Sequence, residues 1–328
     1  MRRAILIFLV IVCAIIFGIP LWVFKGYSPD LDKELATGLT VKFLNVKTHK
    51  VTTMPLEQYL VGVVAAEVPA EFAEEALKAQ AVAARTYTVK RMFSYGAKPA
   101  DIHPDAEICN DPTHCQAWID DEEMKSRWGT LKYLVYRNKI VRAVKGTRGQ
   151  VITFNNTVIE PVYHGSCGGH GTENTEDVWS AVIPYLKGVE CKQEYRVKDQ
   201  VYVVRTDLLQ LSAKLKAADA LASAEAAFES KPVFEILKKS ARGRIVQARL
   251  LGQVVTGKYL RETLGLTSTL IEWQQSGSNL IIKSIGKGHA VGLCQFGANG
   301  MALAGNDYKS IISHYYTGVK IQKIKYRF

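Results

Sequence analysis

The spacing of apolar and polar residues in the first part of the chain predicts two strands followed by a series of helices. The two segments Val41–Val46 and Lys50–Met54 are rich in β-forming residues and flank a turn at Thr48, which predicts a strand pair. After Pro55, a residue well tolerated in the first turn of a helix, apolar residues recur at helical spacing. An Ala-rich helix is then predicted over Ala73–Phe93, and a shorter helix over Asp120–Trp128.

The remaining sequence predicts strands mixed with helices. Leu131–Val162 is rich in β-forming residues, with a hairpin turn at Asn155, and Arg244–Gly257 predicts a second hairpin. Helical period is found over Asp207–Lys239 and again at Tyr308–Tyr316. Because helices and strands interleave without strict βαβ alternation, the sequence predicts an α+β fold with a mixed helix and antiparallel-sheet body.

The amino terminus carries an uncharged apolar segment, Ala4–Phe24, preceded by two arginines. About 20 residues with a rise of about 1.5 Å each cross a bilayer, and the arginines favour a cytoplasmic N-terminus with an extracytoplasmic body. The alternative is a cleaved signal peptide, for which Gly18–Phe24 offers a poor cleavage site. The predicted organisation is a cytoplasmic start and single transmembrane anchor at 1–24, a tether at 25–40, and one ectodomain at 41–328 with a helical and β-hairpin insertion at about 200–285.

The chain is basic, with 42 basic and 31 acidic residues and a formal charge of +11. The basic residues are dispersed and the body is predicted to face outward. We therefore expect no nucleic acid partner, and the charge favours an anionic neighbour such as lipid headgroups or a wall polymer. A basic surface that only aids solubility explains the charge equally well.

The segment Val63–Pro69 and the helix that follows it carry the first candidate chemistry. A run of small apolar residues ends at Glu67, and Pro69 stops any helix there. Half buried among Ala and Val, this carboxylate would have its pKa raised by desolvation, which suits a proton donor. The alternative is an exposed charge at a helix end. The next helix carries Arg85 at a position that its apolar packing does not require, so Arg85 is a candidate substrate contact.

A second segment, Tyr163–Trp179, contains Gly, His, Ser, Cys, Thr and Asn too densely for a protein core. Glycines let the backbone approach a ligand and short polar side chains supply donors and acceptors, so this composition suits a polyhydroxylated ligand. A Ser-His or Cys-His nucleophile is an alternative, although residues so close in sequence rarely form a triad. The candidate binding residues of this segment are His164, Ser166, Thr172, Glu173 and Asn174.

A third, glycine-rich segment, Gly286–Gly300, superficially resembles a phosphate-binding loop. Its spacing matches neither the dinucleotide-binding nor the P-loop pattern, and no Gly-Lys-Ser/Thr follows it. We interpret it as the glycine-rich wall of a groove, to which Gln295 contributes a candidate ligand-binding side chain.

A fourth segment places His103, Cys109 and Cys115 in a loop rich in Pro, Asp and Cys, with His114 adjacent to the last cysteine. Zinc accepts such nitrogen and sulfur ligands, although zinc fingers use a tighter Cys-x2-Cys spacing. One alternative is a Cys109–Cys115 disulfide, since the body is predicted to be extracytoplasmic. The other is that both cysteines are reduced thiols. Six cysteines, one of them in the apolar N-terminal segment, are too few for a disulfide scaffold in this chain.

Taken together, these segments resemble the stage II sporulation protein D family of membrane-anchored lytic transglycosylases. The most specific matches are Pro55–Pro69, Glu75–Tyr87, His164–Trp179 and His289–Ala298. The chain departs from the family pattern at three positions. It has Val68 in place of Met, Ala290 where Gly is usual, and Cys294 where Ser is usual.

The resemblance implies cleavage of the β-1,4 bond between N-acetylmuramic acid and N-acetylglucosamine in peptidoglycan, with formation of a 1,6-anhydro ring. An ordinary glycosidase needs two carboxylates, whereas this reaction proceeds with one that alternates as acid and base. Glu67 is the residue expected to do this, with Glu71 and Glu75 as nearby alternatives. No cofactor is required for this chemistry.

The family also implies a cellular context. The expected location is the mother-cell membrane facing the intermembrane space, where septal wall is remodelled during engulfment of the spore. The expected partners are glycan strands, an amidase that first removes the stem peptides, and membrane proteins of the engulfment machinery. A structural zinc ion near the active cleft, held by His103, Cys109 and Cys115, is implied as well.

Two other functions compete with the enzyme. Related domains occur in proteins that stimulate amidases, so the alternative is a non-catalytic module that binds glycan. A metallohydrolase acting through the His103 site is a third hypothesis. The products formed from glycan distinguish the three.

Overall fold

The structure is a computed structural model that describes residues 3, 33–194, 200–214, 234–277 and 279–324. The predicted membrane anchor at 4–24 therefore lies outside the described residues. Within the described ranges, no helix combines the length and apolar character needed to cross a bilayer. The chain divides into two compact units, Met1–Ile152 with Gln322–Phe328, and Thr153–Ile321.

The first unit combines a small sheet with three helices. Its elements, in chain order, are β1 (Thr40–Asn45), β2 (Lys50–Pro55), α1 (Leu56–Glu67), α2 (Glu74–Arg91), a 3-10 turn (Phe93–Tyr95), β3 (Ile108–Cys109), α3 (Asp121–Gly146) and β4 (Gln150–Phe154), which crosses the unit boundary. Strand β1 is central, antiparallel to β2 and parallel to β3. The three helices pack on one another.

The core of the first unit depends on small side chains and a few aromatic rings. The alanines of α2 are almost all buried, so the neighbouring helices approach closely. Phe43 of β1 contacts Tyr59 and Trp118, with ring centroids 5.5 and 4.8 Å away. Such tilted aromatic pairs add about 0.5–1.5 kcal/mol each beyond the area they bury. They attach the segment around Trp118 to α1.

The second unit is richer in strands. Its elements are β5 (Thr157–Val158), β6 (Tyr163–His164), α4 (Thr175–Trp179), β7 (Val201–Asp207), α5 (Leu208–Lys214), β8 (Phe234–Lys239), β9 (Ile245–Leu250), β10 (Gln253–Thr256), α6 (Gly257–Leu264), β11 (Ile271–Ser276), β12 (Asn279–Ile285), β13 (Leu293–Cys294), α7 (Gln295–Leu303), α8 (Tyr308–Tyr315) and β14 (Lys320–Lys323), which runs into the first unit's terminal segment.

Two antiparallel sheets account for the predicted insertion at about 200–285. One has the strand order β10-β9-β8 and the other β11-β12-β7. They share one apolar core, in which Phe234, Leu250 and Ile282 are at most 1% exposed. The α+β prediction is confirmed.

Three predictions of secondary structure were wrong. Leu131–Val162 begins as helix, since α3 continues to Gly146 through a kink at Gly129 (φ 72°, ψ 160°). Its β-forming residues are helical because Ile140, Val141 and Val144 are buried and α3 packs against α1 and α2. At the end of the predicted helix Asp207–Lys239, Phe234–Lys239 forms β8. The helix α7 begins within the glycine-rich segment, where no helix was predicted.

Candidate functional site

Glu67 lies at the C-terminus of α1, as the sequence predicted. Val68 is extended (φ −129°, ψ 148°), and a residue before proline is restricted to that region, so the helix ends at Glu67. The side chain is half buried. Its Oε1 accepts a hydrogen bond of 2.8 Å from the backbone N–H of Ala117. The carboxylate is therefore held in a fixed position by the main chain.

Gly62 lets the segment that carries this donor approach α1. A Cβ at Gly62 would lie 2.2 Å from Nε1 of Trp118, which no real side chain tolerates. The N–H of Ile119 donates to the carbonyl of Gly62 at 3.3 Å. The donor at Ala117 is thus placed by a backbone contact that only glycine permits.

The two alternative carboxylates have other surroundings. Glu71 is exposed and accepts from the hydroxyl of Tyr136 at 3.1 Å. Glu75 forms an ion pair of 2.6 Å with Lys78. Neither carboxylate combines partial burial at a helix end with a backbone N–H donor, as Glu67 does. Glu67 remains the best candidate of the three.

Arg85 does not face solvent. Its side chain is fully buried, and Nη2 and Nε donate to the two carboxylate oxygens of Glu57 at 2.6 and 2.9 Å. Nη1 and Nη2 also donate to the carbonyls of Gln150 and Val144. With every nitrogen occupied inside the first unit, Arg85 has no donor left for a substrate. The prediction of a substrate contact is not supported, and we assign Arg85 to the core.

In the second unit the structure brings together two of the segments singled out from the sequence. Strands β6 and β13 are parallel, with Tyr163 opposite Leu293 and His164 opposite Cys294. Further along, the N–H of Glu173 donates to the carbonyl of Ala290 at 2.7 Å. The glycine-rich segment thus pairs with the Tyr163–Trp179 segment at both points.

Ser166 and Thr172 face inward, at 1% and 0% exposure. The hydroxyl of Ser166 donates a short hydrogen bond to Glu194, and that of Thr172 accepts from the N–H of Val189 at 2.9 Å. The hydrogen bonds of both side chains therefore stabilise the conformation of the loop.

The predicted binding residues Glu173, Asn174 and Gln295 are also buried or half buried. Glu173 is 2% exposed and accepts from Ser240 at 2.7 Å, while burial raises the pKa of its carboxyl. Asn174 is half buried, and its Oδ1 accepts from the N–H of Gly188 at 2.9 Å. Gln295 is 6% exposed at the start of α7. Of the predicted binding residues in this unit, Asn174 has the most accessible side chain.

His164 has a buried nitrogen with no hydrogen-bond partner. Its Nδ1 lies 3.2 Å from the carbonyl of Val291, and Nε2 lacks a partner among the described residues. Because Nδ1 is the donor in that contact, Nε2 carries a free lone pair. Burial lowers the pKa of the imidazole to about 4, so it is neutral at pH 7.

An aromatic cluster connects His164 with the surface. Its ring centroid lies 5.6 Å from that of His289, which lies 4.9 Å from that of Trp179. Trp179 is 38% exposed, unusual for so large an apolar side chain. His289 and Trp179 lie within the motifs found in the sequence, but they were not among the candidate binding residues. An exposed Trp beside a polar loop is the signal that would have identified them.

The fourth predicted segment forms a compact set of ligand atoms within the first unit. One atom each of His103, Cys109, His114 and Cys115 lies within 4.8 Å of all the others. Sγ of Cys115 lies 3.4 Å from Nε2 of His103 and 3.3 Å from Nδ1 of His114. Both cysteines are free thiols. We call this set the loop cluster.

The loop cluster fits a tetrahedral zinc ion. Nδ1 of His103 lies 2.9 Å from the carbonyl of Ala106, a contact that makes Nδ1 the donor and leaves Nε2 for a metal. Two histidines and two cysteines form a closed structural set, without the open position that a catalytic zinc requires. The sequence analysis named three of these ligands and expected water or a cleft residue as the fourth. The structure supplies His114.

Known proteins resemble the chain along most of its length. A family model described as stage II sporulation protein matches residues 45–154. Stage II sporulation protein D of Bacillus subtilis (strain 168) is 35% identical over 91% of this chain and 83% of its own length. The Bacillus amyloliquefaciens protein of that name is 34% identical over 91% and 82%. The amidase enhancer of Bacillus subtilis is 27% identical over 80% of this chain and 40% of its own length. The chain therefore belongs to the stage II sporulation protein D family.

Proposed function

We propose that this protein is a peptidoglycan lytic transglycosylase that acts in sporulation, with Glu67 as its single acid and base. The observation that carries the proposal is the half-buried carboxylate at the end of α1, held by the N–H of Ala117. Membership of a sporulation family supports the setting.

The reaction needs one proton carrier. Protonated Glu67 donates its proton to the glycosidic oxygen as the bond from that oxygen to C1 of N-acetylmuramic acid breaks. The resulting carboxylate removes the proton of the C6 hydroxyl of the same sugar, and the C6 oxygen bonds to C1. The products are a 1,6-anhydro end and a free 4-hydroxyl. No water is consumed, and Glu67 ends protonated as it began.

We propose that the second unit contributes sugar contacts through its aromatic cluster and its half-buried amide. Trp179 offers an exposed ring face for the apolar face of a sugar. His164, whose Nε2 is buried, supports Trp179 through the ring of His289. Asn174 supplies a further polar contact. The loops that carry these contacts are stabilised by four buried residues, Ser166, Thr172, Glu173 and Gln295.

The sugar contacts are tested by substitution of Trp179. In a Glu67→Gln background that leaves glycan uncut, Trp179→Ala should weaken glycan binding by about 1 kcal/mol with little loss of melting temperature. Trp128→Ala, which removes a ring in edge-to-face contact with Tyr136 in the first unit, is the control and should not affect binding. Equal binding by the Trp179→Ala variant would contradict the assignment.

We propose a structural zinc ion in the loop cluster, which orders the loop from His103 to Cys115. The chemistry assigned to Glu67 needs no metal. A closed ligand set also argues against the metallohydrolase, since that reaction needs a metal-bound water.

We propose further that the chain is anchored in the membrane through 4–24 and acts with an amidase on wall glycan. The apolar sequence of this segment supports the anchor. Similarity to a protein named amidase enhancer supports the partnership. The same similarity favours the second candidate function, a module that binds glycan and stimulates an amidase without cutting.

Mass spectrometry of the products separates these functions. Purified protein incubated with glycan strands should release fragments that end in anhydro-muramic acid. Chelation, which removes the ion that orders the loop, should lower both stability and activity without changing the product. Reducing ends that disappear with chelator would indicate the metallohydrolase. Intact strands, together with faster peptide release by an added amidase, would indicate the binding module.

A further inference from the structure

The second unit holds another set of candidate metal ligands, which the function above does not use. One atom each of Cys167, Cys191, Glu194 and Cys294 lies within 4.8 Å of all the others. Sγ of Cys167 contacts Oε2 of Glu194 at 2.9 Å, and Sγ of Cys294 lies 3.8 Å from Oε1. We call this set the buried cluster, because its three cysteines are all buried.

Two backbone N–H groups point at one sulfur of the buried cluster. Sγ of Cys294 accepts two backbone hydrogen bonds of 3.3 Å, from the N–H groups of Cys167 and Gly297. Cys294 is the N-cap of α7, where the helix dipole stabilises negative charge. Donation from two N–H groups to one sulfur is the kind of outer contact that orients a metal-bound thiolate.

Glycine at position 297 allows the cluster to close. A Cβ there would lie 2.2 Å from both Sγ of Cys191 and Oη of Tyr315. The thiol of Cys191 reaches the start of α7 only because this helix residue has no side chain. Cys191 in turn contacts the Tyr315 hydroxyl at 3.1 Å.

A buried cation lies beside the cluster. Arg244 has a side chain 3% exposed, and its Nη2 donates to the carbonyl of Cys167 at 2.5 Å. Its Nη1 is 3.8 Å from Glu173, and Nε has no hydrogen-bond partner among the described residues. Three thiolates and a carboxylate carry four negative charges, of which a divalent cation would balance two. The positive charge of Arg244 lies beside the cluster and is shared with Glu173. Burying them without a cation would be very costly.

A disulfide explains the cluster less well. A disulfide between any two of these cysteines would leave the third as a thiol buried beside Glu194, without another sulfur to pair with. All three cysteines are free in the structure. Three sulfurs and one carboxylate oxygen form a set that zinc accepts in tetrahedral geometry.

We propose that Cys167, Cys191, Cys294 and Glu194 form a second zinc site, separate from the loop cluster. The ion would join three stretches of chain, namely the Tyr163–Trp179 segment, the segment around Cys191, and the start of α7. Its role is structural, because four protein ligands leave no open position. It would fix the loop that carries the proposed sugar contacts.

Metal analysis of the full-length protein tests this site independently of the loop cluster. A Cys109→Ser/Cys115→Ser variant removes two ligands of the loop cluster and should still contain about one equivalent of zinc. Adding Cys191→Ser and Cys294→Ser should remove it. Tyr315→Phe, which deletes the hydroxyl beside Cys191 without removing a ligand, is the matched control and should retain the metal.

Less than about a tenth of an equivalent in the first variant, or a disulfide between any two of the three cysteines by mass mapping, would overturn the proposal. Should the multiple variants fail to fold, cadmium-113 NMR of the cadmium-substituted wild type decides. The site is supported if one cadmium resonance disappears in Cys191→Ser while any other resonance keeps its chemical shift. If no resonance depends on Cys191, the proposal fails.

Discussion

The loop cluster and the buried cluster contain similar ligands but are assembled in different ways. In the loop cluster, His103 and Cys115 are 12 positions apart, and His114 is exposed. In the buried cluster, Cys167 and Cys294 are 127 positions apart and are brought together by the pairing of β6 with β13. The first is therefore a property of one loop, whereas the second depends on the fold of a whole unit.

This difference has consequences for metal exchange and for stability. A metal held by one partly exposed loop is released when that loop opens locally. A metal that joins three distant segments is released only when the unit opens.

The largest expected contrast is in the rate of metal release. With excess chelator at neutral pH, the loop cluster should lose zinc faster than the buried cluster, on the order of tenfold or more. Following zinc release from the wild type and from Cys109→Ser/Cys115→Ser assigns the phases. A single phase shared by both sites would show that the two clusters do not differ in this way.

The second contrast concerns the arginine near each cluster. Arg244→Met leaves the carboxylate of Glu173 buried without its cation and should lower the free energy of unfolding by about 3–5 kcal/mol. Arg91 stacks on the ring of Tyr87 at 3.4 Å near the loop cluster. Arg91→Met should cost about 1 kcal/mol or less. Urea unfolding of both variants measures the difference, and similar losses would contradict it.

The third contrast compares two glycines at helical positions. Gly297→Ala should displace Cys191 and cost about 1–3 kcal/mol, with loss of one metal equivalent. A Cβ at Gly146, the last residue of α3, would meet only the end of Lys78, at 3.4 Å. Gly146→Ala should therefore be neutral or stabilising by up to about 1 kcal/mol. Thermal melts with zinc analysis test both, and retention of full metal in Gly297→Ala would count against the buried cluster.

The smallest effect is expected at Ala290, whose backbone conformation favours glycine. Ala290 is buried and has a φ of 63°, in the left-handed region. That conformation costs alanine about 1–2 kcal/mol, while glycine loses about 0.5–1 kcal/mol in entropy on folding. Ala290→Gly should raise the free energy of unfolding by about 0.5–1 kcal/mol. Destabilisation in urea melts would show that the methyl group packs favourably there.

The sequence predicted the elements whose signals are local. Helix α1 follows Pro55 and ends before Pro69, and the hairpin turn at Asn155 and Asn156 has the positive φ angles of 48° and 62° that such turns require. The loop cluster was found for the same reason, since its ligands are neighbours in sequence. Of the four residues in the loop cluster, only His114 was not predicted as a ligand, although it is adjacent to Cys115.

The features that were missed depend on distant partners. Arg85 was interpreted as a substrate contact because its partner Glu57 is 28 positions away and on another helix. Helix α3 contains β-forming residues whose burial against α1 and α2 overrides their local preference. The buried cluster was missed because no short spacing connects its cysteines.

The most direct test of the proposed function is the turnover of Glu67→Gln beside Glu71→Gln and Glu75→Gln. Only the first should abolish release of anhydro-muramic products, by about 10²–10⁴-fold or more, because it alone removes the proton carrier. Its melting temperature and glycan binding should match those of the wild type. Near wild-type turnover by Glu67→Gln, or an equal loss in Glu71→Gln or Glu75→Gln, would contradict the account.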